Sequence, residues 1–592
     1  MKFLLVAINA KYIHSNPAIY SLKEYAGRYW SHIELAEYTI NEDLGTIRSS
    51  IYRCHPDVIG FSCYIWNISY VEALAEDLHK LLPEVPVWLG GPEVSYDGRE
   101  TLKRMPGVFG IMAGEGEATF LELMEHYVEG TVDLDRIHGL IYRRKGPGTT
   151  QEAICETGPR KLLDFEKVPF LYQNLPLQDN KIVYYETSRG CPFRCSYCLS
   201  SVEKTVRFRD LETVKRELDF FLESRVPQVK LVDRTFNCKK SHSLAVWTYL
   251  LEHDNGITNF HFEISADLLS EEELQVMSRM RPGLIQLEIG VQTTNPDTLQ
   301  EIRRYVPFSV LSRVVRRIKA MGNIHQHLDL IAGLPMEDYE SFGRSFDDVY
   351  RLEPDQLQLG FLKVLKGSYM YENAKQYGLV YGNRPPYEVL YTKWLSYDDM
   401  IRLKSVEAVV EDYYNSGQFA HVLKWLGLFF ERPFALYESF GDYCRKNRIE
   451  ETSHNRLQRY EILRRFVTEC IFPEREEPVR ELTEVLDSLL LYDLYLRENR
   501  KGSTDFASKW QPDREWVRTF FEREEKAPRF LKGYEGYSWK QMMKMTHLEH
   551  FPIYIEETAE KIIPGKAEQI ILFDYLNRNP LTKDARTIIL ND

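Results

Sequence analysis

At 592 residues the chain is too long for one hydrophobic core, and its length suggests about three or four domains. Hydrophobic residues make up 44%, which excludes a largely disordered protein, and a net charge of −13 gives no overall basic footprint for nucleic acid. No apolar run reaches the roughly 20 residues of a membrane span. Nine cysteines are too few for a disulfide scaffold, and their clustering without a secretory signal points to metal in a reducing, cytoplasmic compartment.

The apolar opening from Met1 to Ile8 turns polar at Asn9 with no cleavage pattern, so it reads as a buried first strand. Residues 1–145 alternate apolar runs with helical periods. Strands are expected over 2–8, 33–39, 57–62, 85–90 and 108–113, with Val71, Leu74, Leu78 and Leu81 at helical spacing between two of them. Such alternation implies a parallel, doubly wound sheet with its ligand crevice at the strand carboxyl ends. The turns Gly90-Gly91-Pro92 and Gly114-Glu115-Gly116-Glu117 fall there, which suits a nucleotide-like ligand lying over them.

Residues 146–180 read as a linker, punctuated by Gly146-Pro147-Gly148, Pro169 and Pro176. A second alternating stretch, 181–385, offers strands over 182–187, 228–233, 260–265, 284–291, 328–332 and 356–361. Six such units suggest a partial (β/α)6 barrel with its chemistry at the strand carboxyl ends, where Glu186, Asp233, Glu263, Gln292 and Gly333 lie. From 386 to 592 the strand signal fades into aromatic-rich amphipathic helices, for example 398–414 and 479–496, so this part is expected to be mainly helical. The fold class is α/β: a Rossmann-like domain, a partial barrel and a helical carboxyl-terminal domain.

The strongest local signal is Gly190-Cys191-Pro192-Phe193-Arg194-Cys195-Ser196-Tyr197-Cys198, directly after the first barrel strand. Three thiolates can hold three irons of a four-iron cubane, and since such clusters normally take four cysteines, one iron stays open for a substrate. A zinc knuckle completed by Cys238 or a histidine is the alternative. Cys-x3-Cys-x2-Cys in this setting resembles the radical-SAM superfamily. Ile289-Gly290-Val291-Gln292-Thr293 with Leu299 and Arg304, then Asp329-Leu330-Ile331-Ala332-Gly333-Leu334-Pro335, resemble the branch that includes anaerobic coproporphyrinogen oxidases. The segment Leu362–Ser368 resembles a later motif of that branch but departs from it at Lys366 and Ser368. The resemblance implies that Cys191, Cys195 and Cys198 bind a 4Fe-4S cluster and that Asp233, Glu263, Gln292 and Arg304 face S-adenosylmethionine (SAM). The usual glycine- and glutamate-rich motif at the second strand is replaced by Val232-Asp233-Arg234.

The amino-terminal stretch resembles the cobalamin-binding domain that precedes many such barrels, through Asp57–Ser62, Trp88–Glu93 and Ala113–Glu117. That implies cobalamin held by Ser62, Gly90, Gly91, Gly114, Glu115 and Gly116, where small residues let the backbone approach a bulky tail. The Asp-x-His-x-x-Gly pattern of histidine-ligated cobalamin fails around His14, so no histidine is expected on cobalt. Residues 386–592 are similar to an uncharacterised helical domain found after some of these barrels, with His547-Leu548-Glu549-His550 expected on a surface helix. Together the resemblances imply a cobalamin-dependent radical-SAM enzyme, supplied with electrons by a flavodoxin or ferredoxin and acting on a small molecule or peptide, away from any membrane. Methyl transfer to an unreactive carbon leads. Radical rearrangement or cyclisation, or a cobalamin-free radical-SAM modification, are the alternatives.

Overall fold

The computed structural model describes residues 1–145, 152–500, 504, 506, 510 and 512–590; Gly146-Pro147-Gly148 of the expected linker lies outside them. The amino-terminal sheet runs β2(Ile33–Thr39), β1(Phe3–Asn9), β3(Val58–Ser62), β4(Val87–Gly90), β5(Gly110–Met112), β6(Leu140–Lys145), β7(Glu152–Glu156). The first five strands are parallel in the order 2-1-3-4-5, a doubly wound order whose crevice opens where β1 meets β3. Every residue of β1 is buried, as a central strand covered on both faces demands. The last two strands add an antiparallel edge that the sequence reading did not contain.

β8(Val183–Tyr185) opens the second sheet. A short ribbon of β9(Ser188–Arg189) and β10(Arg207–Phe208) follows, flanking the cysteine loop. The sheet continues through β11(Gln228–Leu231), β12(Asn259–Ile264), β13(Ile285–Gln292), β14(His325–Ala332) and β15(Gln356–Phe361), all parallel and in chain order from β8 to β15. Six strands in sequential order make an open partial barrel. Alternate residues divide its two faces. Phe260, Phe262, Ile285, Leu287, Leu328 and Leu330 are buried outward against the helices, whereas His261, Glu263, Gln286, Glu288, His327 and Asp329 stay half-buried on the concave side.

Beyond the small ribbon β16(Val380–Tyr381) and β17(Val389–Tyr391), helices dominate up to Arg497. The chain then closes with an antiparallel sheet, β18(Thr546–Ile553), β19(Lys566–Arg578) and β20(Ala585–Leu590). His547 and His550 therefore stand on a strand, not on the expected helix. Three positions apart on a strand they point to opposite faces and cannot chelate one ion. His547 stacks on Tyr495 at 3.7 Å between ring centroids, and His550 bonds Glu568. The buried, β-branched and aromatic run of β19 is what pulls this segment into a sheet.

Among the described residues, no helix is long and apolar enough to cross a membrane. In β5, a Cβ on Gly110 would lie 2.4 Å from the ring of fully buried Trp88. Gly110→Ala is expected to destabilise the amino-terminal domain by about 1–3 kcal/mol through overpacking, seen as a lower urea-unfolding midpoint. Gly27→Ala, whose Cβ meets nothing within 4 Å, should leave that midpoint unchanged.

Candidate functional site

A cavity of about 1000 Å³ lies between the carboxyl ends of the amino-terminal strands and the mouth of the barrel. All six residues expected at the cobalamin line it: Ser62, Gly90, Gly91, Gly114, Glu115 and Gly116. Their parts differ. A Cβ on Gly114, at φ +83°, would meet nothing within 4 Å, so this backbone is bare toward the cavity. Gly91 is glycine for an internal reason: at φ +116° its Cβ would strike the Cys63 carbonyl at 2.5 Å. Ser62 is buried, and its hydroxyl accepts from Asn16 Nδ2 at 3.1 Å.

Glu115 does something the sequence did not reveal. It accepts from Arg189 at 3.0 Å, from Arg207 at 2.8 and 3.0 Å, and from the Leu163 amide at 2.8 Å. Burial pushes its carboxyl up, but the two guanidiniums and the amide outweigh burial, and its pKa ends below the usual range. Arg189 also reaches Glu117 at 3.0 Å and Glu186 at 2.9 Å, so one guanidinium gathers three carboxylates from two domains. Lys366, where the sequence departs from the motif it resembles, makes a second link: its ammonium lies 2.7 Å from Asp97 of the amino-terminal domain.

Gly190, at φ +100°, turns the chain from Arg189 into the cysteine loop; a Cβ there would lie 2.2 Å from the Thr205 carbonyl. Cys191 and Cys195 are buried, and Cys198 is half-buried. Hydrogen bonds from Ser196 N to Ile302 O, 3.0 Å, and from Met370 N to Ser196 O, 2.9 Å, tie the loop to the barrel. A tetrahedral zinc with Zn–S of about 2.3 Å would gather its thiolates to about 3.8 Å. Among the described residues, the only three or more Cys, His, Asp or Glu ligand atoms lying within 4.8 Å of one another are in the barrel lumen, not here. At least one pair of the three thiols is therefore more than 4.8 Å apart.

The four residues expected to face SAM divide. Asp233 is buried, and Thr187 and Ser188 occupy both its oxygens, at 2.5–3.0 Å. Burial raises its carboxyl to about 6. It locks the loop that leads to Arg189 and offers no exposed oxygen to a ligand. Gln292 is a non-glycine residue at φ +72° at the end of β13, and its Oε1 is buried with no hydrogen-bond partner. Strain and an orphaned acceptor at a strand end mark a binding position. Arg304 holds the Gly290 carbonyl and comes within 3.9 Å of Cys195 Sγ, joining β13 to the cysteine loop. Glu263 stands on the concave face, where burial, reinforced by Glu288, lifts its carboxyl to about 7. His14 stands behind the cavity wall: its Nδ1 lies 2.6 Å from the hydroxyl of the lining residue Tyr184, and among the described residues no histidine lines the cavity.

Three family models match in chain order: a B12 binding domain over 4–124, the radical SAM superfamily over 185–349, and a protein of unknown function (DUF4080) over 375–573. The chain thus carries a B12 binding domain followed by a radical SAM domain. It is 25% identical over 350 residues to an uncharacterized methyltransferase of Pyrococcus horikoshii, covering 57% of this chain and 73% of that one. It is 26% identical over 306 residues to the cobalamin-dependent radical SAM methyltransferase TokK of Streptomyces tokunonensis, covering 48% of this chain and 44% of TokK. The match thus spans less than half of that relative. The solved radical SAM methyltransferase TsrM of Kitasatospora setae, with cobalamin and [4Fe-4S] cluster bound, shares the fold at TM-score 0.51 and 18% identity, over 65% of this chain and 78% of TsrM.

Arg189 is the side chain whose loss these contacts make most damaging. Arg189→Met would leave Glu115, Glu117 and Glu186 without their shared cation, and removing one partner of a buried pair costs about 3–5 kcal/mol. A lower denaturation midpoint together with weakened corrinoid retention is expected; an unchanged midpoint would remove the network from this account.

Proposed function

We propose that this protein is a cobalamin-dependent radical-SAM methyltransferase that adds a methyl group to an unactivated carbon of a small-molecule or peptide substrate. The observation that carries the reading is the shared cavity: the six turn residues of the B12-binding domain and the loop entering the cysteine triad line the same space. Cys191, Cys195 and Cys198 would hold a 4Fe-4S cluster, and the turns after β4 and β5, bare at Gly114, would take cobalamin. When bound, these groups supply one-electron cleavage of SAM and carriage of a methyl group.

The chain's own residues bind, orient and exclude water. Arg304 keeps a positive charge beside Cys195, where an anionic cluster and a methionine carboxylate both favour it. Gln292 turns its unpartnered Oε1 toward a donor such as the methionine ammonium. Glu263 suits ribose hydroxyls. Arg189 closes the domain boundary beside the cavity, so that a reactive carbon radical is kept from solvent. A flavodoxin or ferredoxin would deliver the electron.

Carbon methylation consumes two molecules of SAM: one loses its methyl and leaves S-adenosylhomocysteine, the other leaves 5′-deoxyadenosine. The two products are expected to accumulate one-to-one with methylated substrate, the methyl label traceable to methionine. Formation of 5′-deoxyadenosine with substrate conversion but no S-adenosylhomocysteine would replace methyl transfer with rearrangement or cyclisation.

A further inference from the structure

The carboxyl-terminal domain holds a second cavity, of about 630 Å³, that shares no residue with the first. It lies between the short helix Ala420–Leu426, the long helix Val479–Arg497, the turn Ile555–Ala559 and the strands β19 and β20. Much of its wall is apolar. Ile571 of β19 and Ile589 of β20 stand opposite one another in register, with Tyr492 and Ile555 also on the wall. Ile589 is 42% exposed, so the sheet leaves apolar surface uncovered here. His421 and Lys424 of the short helix line the same space. We propose that His421 and Lys424 bind the carboxylate of a small organic acid whose apolar body packs against Tyr492, Ile571 and Ile589.

The imidazole of His421 is held from behind by a buried partner. The side chain of Asp493 is 1% exposed and lies 2.6 Å from His421 Nδ1. A carboxylate can only accept, so Nδ1 carries the hydrogen and donates it. Asp493 also accepts from the amides of His421 and Val422 at 3.0–3.2 Å, which caps the short helix. Those amides are thereby taken, and the helix end is no anion site. Capping does not require the bond to the imidazole, however. That bond turns Nε2 away from Asp493, and among the described residues Nε2 has no hydrogen-bond partner. The edge of Tyr492, with ring centroids 4.8 Å apart and planes at 84°, fixes the plane of the ring. A buried acid behind an oriented imidazole is an arrangement that serves a ligand on the far side.

Lys424 stands one helical turn on, on the same face as His421. It is exposed, and it makes no ion pair among the described residues. The two side chains can each take one oxygen of a carboxylate. A phosphate suits the site less. No arginine fork and no free helix amide is offered, and Glu556, an acid lining the cavity, would repel a dianion.

Protonation favours the same ligand. Burial lowers the pKa of His421, but the Asp493 carboxylate and, more weakly, Asp584 outweigh both burial and the Lys424 ammonium and raise it above its ordinary 6.5. Protonated, Nε2 donates to a carboxylate; neutral, it presents a lone pair and repels one. Binding is therefore present below the raised pKa and is lost as the pH climbs through it.

Saturation-transfer proton magnetic resonance of 4-methylpentanoate with the anaerobically purified holoenzyme tests the site without turnover. A saturable response that weakens with rising pH is expected, and the neutral isostere 4-methylpentanamide should give none. His421→Ala and the exposed Lys424→Met should each raise the dissociation constant about tenfold, with iron and cobalamin contents unchanged. No saturable binding, equal binding of the amide, or wild-type affinity in both variants would overturn the proposal and leave Asp493 and His421 as a helix cap and its ion pair.

Discussion

A single half-buried guanidinium sets the geometry on which this molecule depends. Arg189 sits at the last position before the cysteine loop, and its partners Glu115 and Glu117 belong to the last glycine turn of the B12-binding domain. If the domains separated, Glu115 and Glu117 would lose this cation and Arg189 would keep only Glu186, so each domain supplies charge that the other needs. The next residue, Gly190, can turn only because it has no Cβ. Arg189 thus fixes where Cys191 begins relative to the bare turn at Gly114, and Lys366 with Asp97 repeats the same logic at the turn after β4.

The barrel then divides its labour by strand periodicity. Outward residues make the core and inward residues stay polar, and the open edge of a six-stranded sheet lets a ligand reach them. Along the lumen the environment changes with depth. Beyond the end of β13 Arg304 reaches the cysteine loop; deeper along the strands, carboxylates, histidines and Lys230 gather. Half-burial of so many charges is unfavourable for stability alone, which is why the concave face reads as a place for ligands.

Much of this was legible in the sequence. The strands 33–39 and 356–361 coincide with β2 and β15, and the others fall within a few residues, because alternating and continuous apolar runs report burial directly. The six turn residues expected around one ligand do line one cavity, and the cysteine loop stands out because thiols so closely spaced have few other uses. Other features were hidden. Arg189 and Glu115 are 74 positions apart, and nothing local in either segment marks them as partners. Asp233 looked like a ligand because it ends a barrel strand, but the hydroxyls and amide that neutralise it come from Thr187 and Ser188 on the neighbouring chain segment. The sheet formed by β18, β19 and β20 was missed because His547-Leu548-Glu549-His550 fits a helix and a strand equally well, and only its pairing with β19 decides.

The central claim is that radical and corrinoid chemistry share one cavity. Paramagnetic resonance of the anaerobically reduced protein tests it most directly, by recording cobalt(II) in cobalamin and the reduced iron–sulfur cluster in the same sample. Two spins in one cavity of this size should interact, so each signal is expected to be broadened or split relative to samples holding one group alone. Spectra that equal the plain sum of the two isolated signals would contradict the account.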